Sequence, residues 1–295
     1  MGTKASLDAR VFVDQNMEKV ELHPFADGVA AIFSARGPDK PDGNEDAAAL
    51  IPFGESSGIL VVADGVGGAR AGQDAAHTAI RSLRVALEQG AQKDEMLRTA
   101  ILNGIESANR DVIEIGVGAA TTLAVVEIQD GAARPYHIGD AEILVMGQRG
   151  RIKLQTVSHS PVGFAVEAGF LDTDEAMHHE ERHIVSNVIG STEMRIEMGA
   201  NVALALRDTV LLGSDGLFDN LHVDEIVTIL RKGPLQRAAR ALSEAAAARM
   251  REPAADQPSK PDDLTFVAFR RNVPRKQRPR AIEAPVARVA PNTNA

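Results

Sequence analysis

Ile59-Leu60-Val61-Val62-Ala63-Asp64-Gly65-Val66-Gly67-Gly68 is an unbroken aliphatic run that stops at an acid and a cluster of glycines. Such a run reads as a strand buried on both faces, followed by a tight glycine turn. Asp64 then stands where the strand ends, a carboxylate delivered by a core element. The pattern recurs along the chain. Thr209-Val210-Leu211-Leu212 runs into Gly213-Ser214-Asp215-Gly216, Tyr136-His137-Ile138 runs into Gly139-Asp140, and Asp262-Asp263 immediately precede a strand expected over Leu264 to Phe269. Taken singly, each Asp-Gly pair is an ordinary turn, because Asp caps backbone groups and Gly supplies positive φ. Taken together, carboxylates gathered at strand ends repel one another and raise each other's pKa unless a cation holds them. A set made only of oxygen ligands suits Mg²⁺ or Mn²⁺.

Between these landmarks the spacing predicts two amphipathic helices joined near Gly90. Ala75, Ala79, Leu83 and Leu87 form one stripe, and Leu97, Ile101, Ile105 and Ala108 form the other. Thr121 to Ile128, Tyr136 to Ile138 and Glu142 to Gly147, separated by Asp130-Gly131 and Gly139-Asp140, read as a meander of strands. A polar stretch from Ser158 to His183 interrupts the pattern as a flap insert. Val223 to Leu230 and Leu235 to Met250 are helical by composition. Residues 1–27 form an N-terminal arm or a first strand, 28–270 the main domain, and 271–295 a basic, proline-rich tail expected to be disordered.

Composition narrows the chemistry. The 295 residues contain no cysteine, which excludes disulfides, thiolate zinc sites and cysteine nucleophiles. An aromatic fraction of 3% leaves the core to aliphatic side chains. A formal charge of −9 argues against a general nucleic-acid surface. The start of the sequence lacks a signal pattern, and no apolar run approaches the roughly 18 residues that span a bilayer, so a cytoplasmic monomer without membrane attachment is expected. His159, His178, His179 and His183 lack the spacing of a metal motif and read as surface or packing residues. Ser160 and Ser214 lack the nucleophile-elbow context of a serine hydrolase.

A series of blocks along the chain resembles the metal-dependent protein phosphatase family (PPM, type 2C). They are Asn44-Glu45-Asp46, Val62 to Gly68, Gly118-Ala119-Ala120-Thr121-Thr122, His137 to Asp140, Ser214 to Asp219, and Asp262-Asp263-Leu264-Thr265. The resemblance implies an α+β fold, a four-layer αββα sandwich with two central antiparallel sheets flanked by helices. It also implies hydrolysis of phosphomonoesters on phosphoserine or phosphothreonine proteins, by attack of a metal-activated water. By position, Asp64 would bridge two divalent cations, with the Gly65 carbonyl on the first and Asp215 and Asp262 on the second. Glu45 and Asp46 would hold waters on the metals. Asp140, with Asp215 or Asp219, would mark a third, weaker metal position. A cognate kinase is the implied counterpart.

The sequence departs from the family pattern twice. Val66 replaces a histidine that eukaryotic members carry in the glycine turn, and Pro41 stands where the phosphate-gripping arginine is expected. Arg36 and Lys40 are the nearby candidates for that role, Arg36 being preferred for its bidentate fork. The competing reading is a noncatalytic phosphoprotein-binding module on the same scaffold. Retention of Asp64, Asp215 and Asp262 argues for catalysis, since a binding module needs no such set.

Overall fold

The computed structural model describes residues 8–272 apart from 67, 68, 117, 255 and 256. Gly67 and Gly68 of the glycine turn, and the tail beyond residue 272, therefore lie outside the described residues. The aliphatic run is strand β5 (Gly58–Ala63), buried at every position. Its neighbours are β4 (Ala47–Pro52) and β8 (Leu123–Gln129), both antiparallel to it. Beyond β4 lies β1 (Arg10–Val13), and beyond β8 lie β9 (Ala132–Ile138) and the short β12 (Glu197–Met198) and β13 (Val202–Ala203). The second sheet runs in the order β11 (Ile152–Gln155), β10 (Glu142–Met146), β14 (Thr209–Gly213), β15 (Leu264–Arg271), β3 (Gly28–Ala35), β2 (Glu21–Phe25). A small ribbon pairs β6 (Gly65–Val66) with β7 (Ala120–Thr121).

Period-two alternation assigns each strand residue to a layer. Leu50, Leu60, Val62 and Val126 meet Ile32, Ile143, Leu212 and Val267 between the two sheets. The opposite face of the first sheet, Ala49, Val61 and Val125 among others, packs on α1 (Ala69–Gln92) and α2 (Leu97–Ile115). The outer face of the second sheet, with Leu211 and Phe266, packs on α6 (Val223–Leu230) and α7 (Leu235–Arg251), the expected αββα order. The short helices α3 (Pro161–Glu167) and α4 (Thr173–Met177) and a 3-10 turn over Glu180–His183 make up the insert. A last short helix, α5 (Asp215–Phe218), follows β14 directly.

Three expectations need correction. Residues 10–13 and 21–25 are strands, one in each sheet, so both sheets extend N-terminal of residue 28. Gly90 lies inside α1 and is a packing glycine: a Cβ there would stand 2.8 Å from the Ala100 Cβ, where the two helices approach closely. The helix break falls after Gln92. Finally, β8 and β9 form a hairpin, but β10 does not continue a meander. The chain crosses to the second sheet at Gly139-Asp140.

Candidate metal centre

The fold brings the strand-end acids to one place, at the end of the gap between the sheets. Asp64 follows β5, and its carbonyl accepts from the Thr122 N–H and the Thr121 hydroxyl, each at 2.8 Å, which fixes the start of the β6–β7 ribbon. Gly65 is pressed so close to Gly72 of α1 that a Cβ would lie 2.4 Å from the Gly72 carbonyl. Asp46, just before β4, is buried, and its Oδ2 accepts the Ser214 hydroxyl at 2.8 Å. Asp215 opens α5 and Asp219 closes it. Asp262 precedes β15, and Asp140 occupies the crossing from β9 to β10.

The electrostatics record how near these groups are. Burial, and then the charges of Asp215, Asp46, Asp140 and Asp262, hold the Asp64 carboxyl well above the usual range. Burial, then Asp263, Asp262 and Asp215, raise Asp46 against the opposing Ser214 hydrogen bond. Asp140 is pushed up to about 8 by burial and by Asp215 and Asp219. Asp262 is raised by burial and Asp215, and Glu45 by burial. Among the described residues, the buried Glu45 Oε1 has no hydrogen-bond partner. Carboxylates that raise one another, with an orphaned acceptor beside them, fit divalent cations with oxygen ligands. Asp64, Asp215, Asp262, Asp140, Asp219 and the Gly65 carbonyl are the residues suited to hold them.

Two lysines enter this acidic field from opposite sides. Lys40 Nζ donates to Glu45 Oε2 and Asp263 Oδ2, both at 2.6 Å. Burial pulls its pKa down, but hydrogen bonds to those two carboxylates outweigh that and raise it. Lys260 Nζ pairs with Asp215 Oδ2 and lies 3.1 Å from Asp219 Oδ2 and 3.4 Å from Asp262 Oδ2. Arg36 is not among them. It is exposed, donates to the Asp42 carbonyl at 3.4 Å, and lines a separate cleft with Pro38 and Pro261. From Asp140, Asp215 and Asp219 a cleft of about 1080 Å³ runs between α6, the β10–β11 hairpin and the insert.

The sequence profile described as Protein phosphatase 2C matches residues 40–257, well over half of the 295-residue chain. The chain belongs to the protein phosphatase 2C family. It is 33% identical over 180 residues to protein phosphatase PhpP of Streptococcus pneumoniae, covering 58% of this chain and 72% of that protein. It is 27% identical over 244 residues to the serine/threonine phosphatase stp of Listeria welshimeri, covering 80% and 93%. Among solved structures, the Streptococcus agalactiae serine/threonine phosphatase superposes with a TM-score of 0.69 at 25% identity, over 82% of this chain and 99% of that one. Stp1 from Staphylococcus aureus shares the fold, with a TM-score of 0.71 at 23% identity, over 88% and 100%.

Within this protein phosphatase 2C fold, several residues at the centre carried no sequence signal for their role. Asp263 is buried and accepts from the Gly37 N–H at 2.8 Å and the Glu45 N–H at 2.7 Å besides Lys40, so it anchors the loop that carries Glu45. Ser214, which lacks a nucleophile-elbow context, orients Asp46 through its hydroxyl. His137, His159 and Glu197 offer ligand atoms within 4.8 Å of one another, but hydrogen bonds account for them. His137 Nε2 donates to the Val157 carbonyl at 2.9 Å. His159 Nδ1 accepts from the Gly139 N–H at 3.1 Å and from Asn187 at 2.9 Å, leaving Nε2 to donate to Glu197 at 3.0 Å. His159 is thus a buried packing residue that clamps the turn beside Asp140. His178 and His183 are exposed.

Proposed function

We propose that this chain is a metal-dependent serine/threonine protein phosphatase that hydrolyses phosphomonoesters on phosphoproteins. The carrying observation is that Asp64, Asp46 and Asp262 act electrostatically on Asp140 or Asp215, which line a cleft with Asp219, several of these acids having raised pKa values. Asp64, the Gly65 carbonyl, Asp215 and Asp262 would hold two divalent cations, Mn²⁺ or Mg²⁺, and Asp140 with Asp215 or Asp219 a third, weaker one; the cations would supply an acidified water and a counter-charge for the phosphoryl group. The residues of the chain do the positioning. Asp64 ends a fully buried strand, so its carboxylate has little freedom, and Ser214 fixes the face of Asp46 that accepts hydrogen bonds. Lys40 and Asp263 hold Glu45, whose Oε1, without a partner among the described residues, could accept from a water. Val66 offers no proton, so protonation of the leaving oxygen falls to another group. Arg36 is the proposed phosphate grip: it is exposed on the loop that carries Glu45 and holds one backbone carbonyl among the described residues, so it would swing out of its own cleft to reach the phosphate.

The cleft is open to solvent beside the acids and mixes apolar side chains, Val162, Met177, Leu221 and Val227, with charged ones, Arg149, Asp174 and Asp224, a lining that suits a polypeptide substrate. A cytoplasmic monomer opposed by a cognate kinase, with neither membrane nor nucleic acid as partner, completes the proposal. No described helix is long and apolar enough to cross a membrane. Phosphopeptide hydrolysis with Mn²⁺, with and without chelator, tests the reading. Turnover is expected only with the metal. Full turnover after chelation would sink it, and phosphopeptide binding without turnover would favour the noncatalytic module.

A further inference from the structure

Lys260 reaches the acidic centre on a backbone that is held in place. Asn220, fully buried, donates from Nδ2 to the Lys260 carbonyl at 2.8 Å and accepts the Lys260 N–H on Oδ1 at 2.8 Å. The same Nδ2 donates to the Gly216 carbonyl at 2.9 Å. One amide therefore ties Lys260 to the helix that carries Asp215 and Asp219. A surface lysine keeps its strongly hydrated ammonium in water at the end of a flexible stem. Here the side chain is 20% exposed and its ammonium faces three carboxylates from two segments of the chain. The contact with Asp219 Oδ2 at 3.1 Å lies off the hydrogen-bonding direction, and that buried oxygen has no other partner among the described residues. The ammonium is held there mainly by charge.

Those three carboxylates are the ones assigned above to the second and third cations. Oxygen lone pairs turned toward an ammonium are not available to a divalent ion, and two cations a few ångströms apart repel strongly at low dielectric. We propose that Lys260 is an internal counter-cation that exchanges with the divalent ion on the Asp215, Asp219 and Asp262 side of the centre. That side then loads less tightly than Asp64 and Gly65, which Lys260 does not contact, and it stays gathered when the ion leaves. The inference rests on reading these carboxylates as metal ligands.

The test uses the full chain with Lys260→Gln and Lys260→Arg. Mn²⁺ binding is followed by titration calorimetry, with the bound ions counted by electron paramagnetic resonance, and melting is recorded after chelation. Lys260→Gln should bind the weaker Mn²⁺ about tenfold more tightly and melt at a lower temperature once chelated, whereas Lys260→Arg should resemble the wild type in both. If Lys260→Gln folds only with Mn²⁺ present, competition against a chelator reads the same affinity. Unchanged or weakened binding of that ion in Lys260→Gln would overturn the exchange while leaving the phosphatase reading intact. Failure of the wild type to bind any Mn²⁺ would overturn both.

Discussion

Lys40 and Arg36 share one loop but have different surroundings. Lys40 is the counterion of Asp263, whose side chain is only 3% exposed and which anchors Glu45 through its backbone. Lys40→Ala would leave that buried carboxylate with two N–H donors and no cation, at a cost of about 3 kcal/mol, read as a melting temperature lower by several degrees. Arg36→Ala removes an exposed side chain with one long backbone contact, so stability should hold while KM for a phosphopeptide rises more than kcat falls. A stable Lys40→Ala with raised KM would transfer the phosphate grip to Lys40. Asp64, Asp140 and Asp215 were legible in the sequence because each sits in a local strand-to-turn pattern, and Asp262 because it immediately precedes a strand, whereas Glu45, Asp46 and Asp219 came only with the family resemblance. Lys40 against Asp263 and Lys260 against Asp215 were not, since pairs so far apart in the chain leave no periodicity to read.

At the scale of elements, the two turns Asp130-Gly131 and Gly139-Asp140 look alike in sequence and behave differently. The first closes a tight hairpin, with φ of 52° and 71° at its central residues, and β8 and β9 stay paired. The second throws the chain across to the other sheet. That outcome depends on what β10 packs against, with Ile143 and Val145 facing the space between the sheets and Leu144 and Met146 facing α6 and α7, which no local pattern encodes. At the crossing Gly139 has φ of 100°, and a Cβ there would meet Thr122 Cβ at 2.6 Å, while His159 grips the turn through Nδ1 and its own N–H. Gly139→Ala should therefore cost about 2–4 kcal/mol, from backbone strain plus overpacking, and displace Asp140 enough to lower kcat. Gly118, with φ of 74° and nothing near its Cβ position, is the control and should lose only about 1 kcal/mol as alanine. Equal losses in urea unfolding would mean that the Thr122 contact does not constrain the crossing.

For the molecule as a whole, spacing and composition gave the buried aliphatic strands and the amphipathic helices one by one, whereas their stacking into four layers was implied by the family resemblance. The cost of the centre is not visible in that pattern, because it arises only when distant acids are gathered. It has a measurable sign. The Asp140 carboxyl rises from 3.8 to about 8 and that of Glu142 from 4.5 to about 7, burial being the main cause in both. Asp64 and Asp46 shift in the same direction. An acid with a raised folded-state pKa binds its proton more tightly in the fold than in the unfolded chain. Its contribution is fully present below the unfolded pKa and is lost as pH rises through the folded one. The chelated protein should thus lose stability from about pH 4 to about pH 8, whereas with Mn²⁺ the carboxylates of the centre are ionised and held by the cation, and the fall shrinks to the part that Glu142 contributes in both arms. His137 and His77, both lowered chiefly by burial, oppose this trend by losing stability as pH drops below 6.5. They contribute to both arms, so the informative quantity is the melting temperature with Mn²⁺ minus that with chelator, measured across this range. The difference should widen steadily with pH, and Asp64→Asn should flatten it by removing both a ligand and a repelling charge. A difference that stays constant or narrows as pH rises would show that the acids are not gathered closely enough to need a cation.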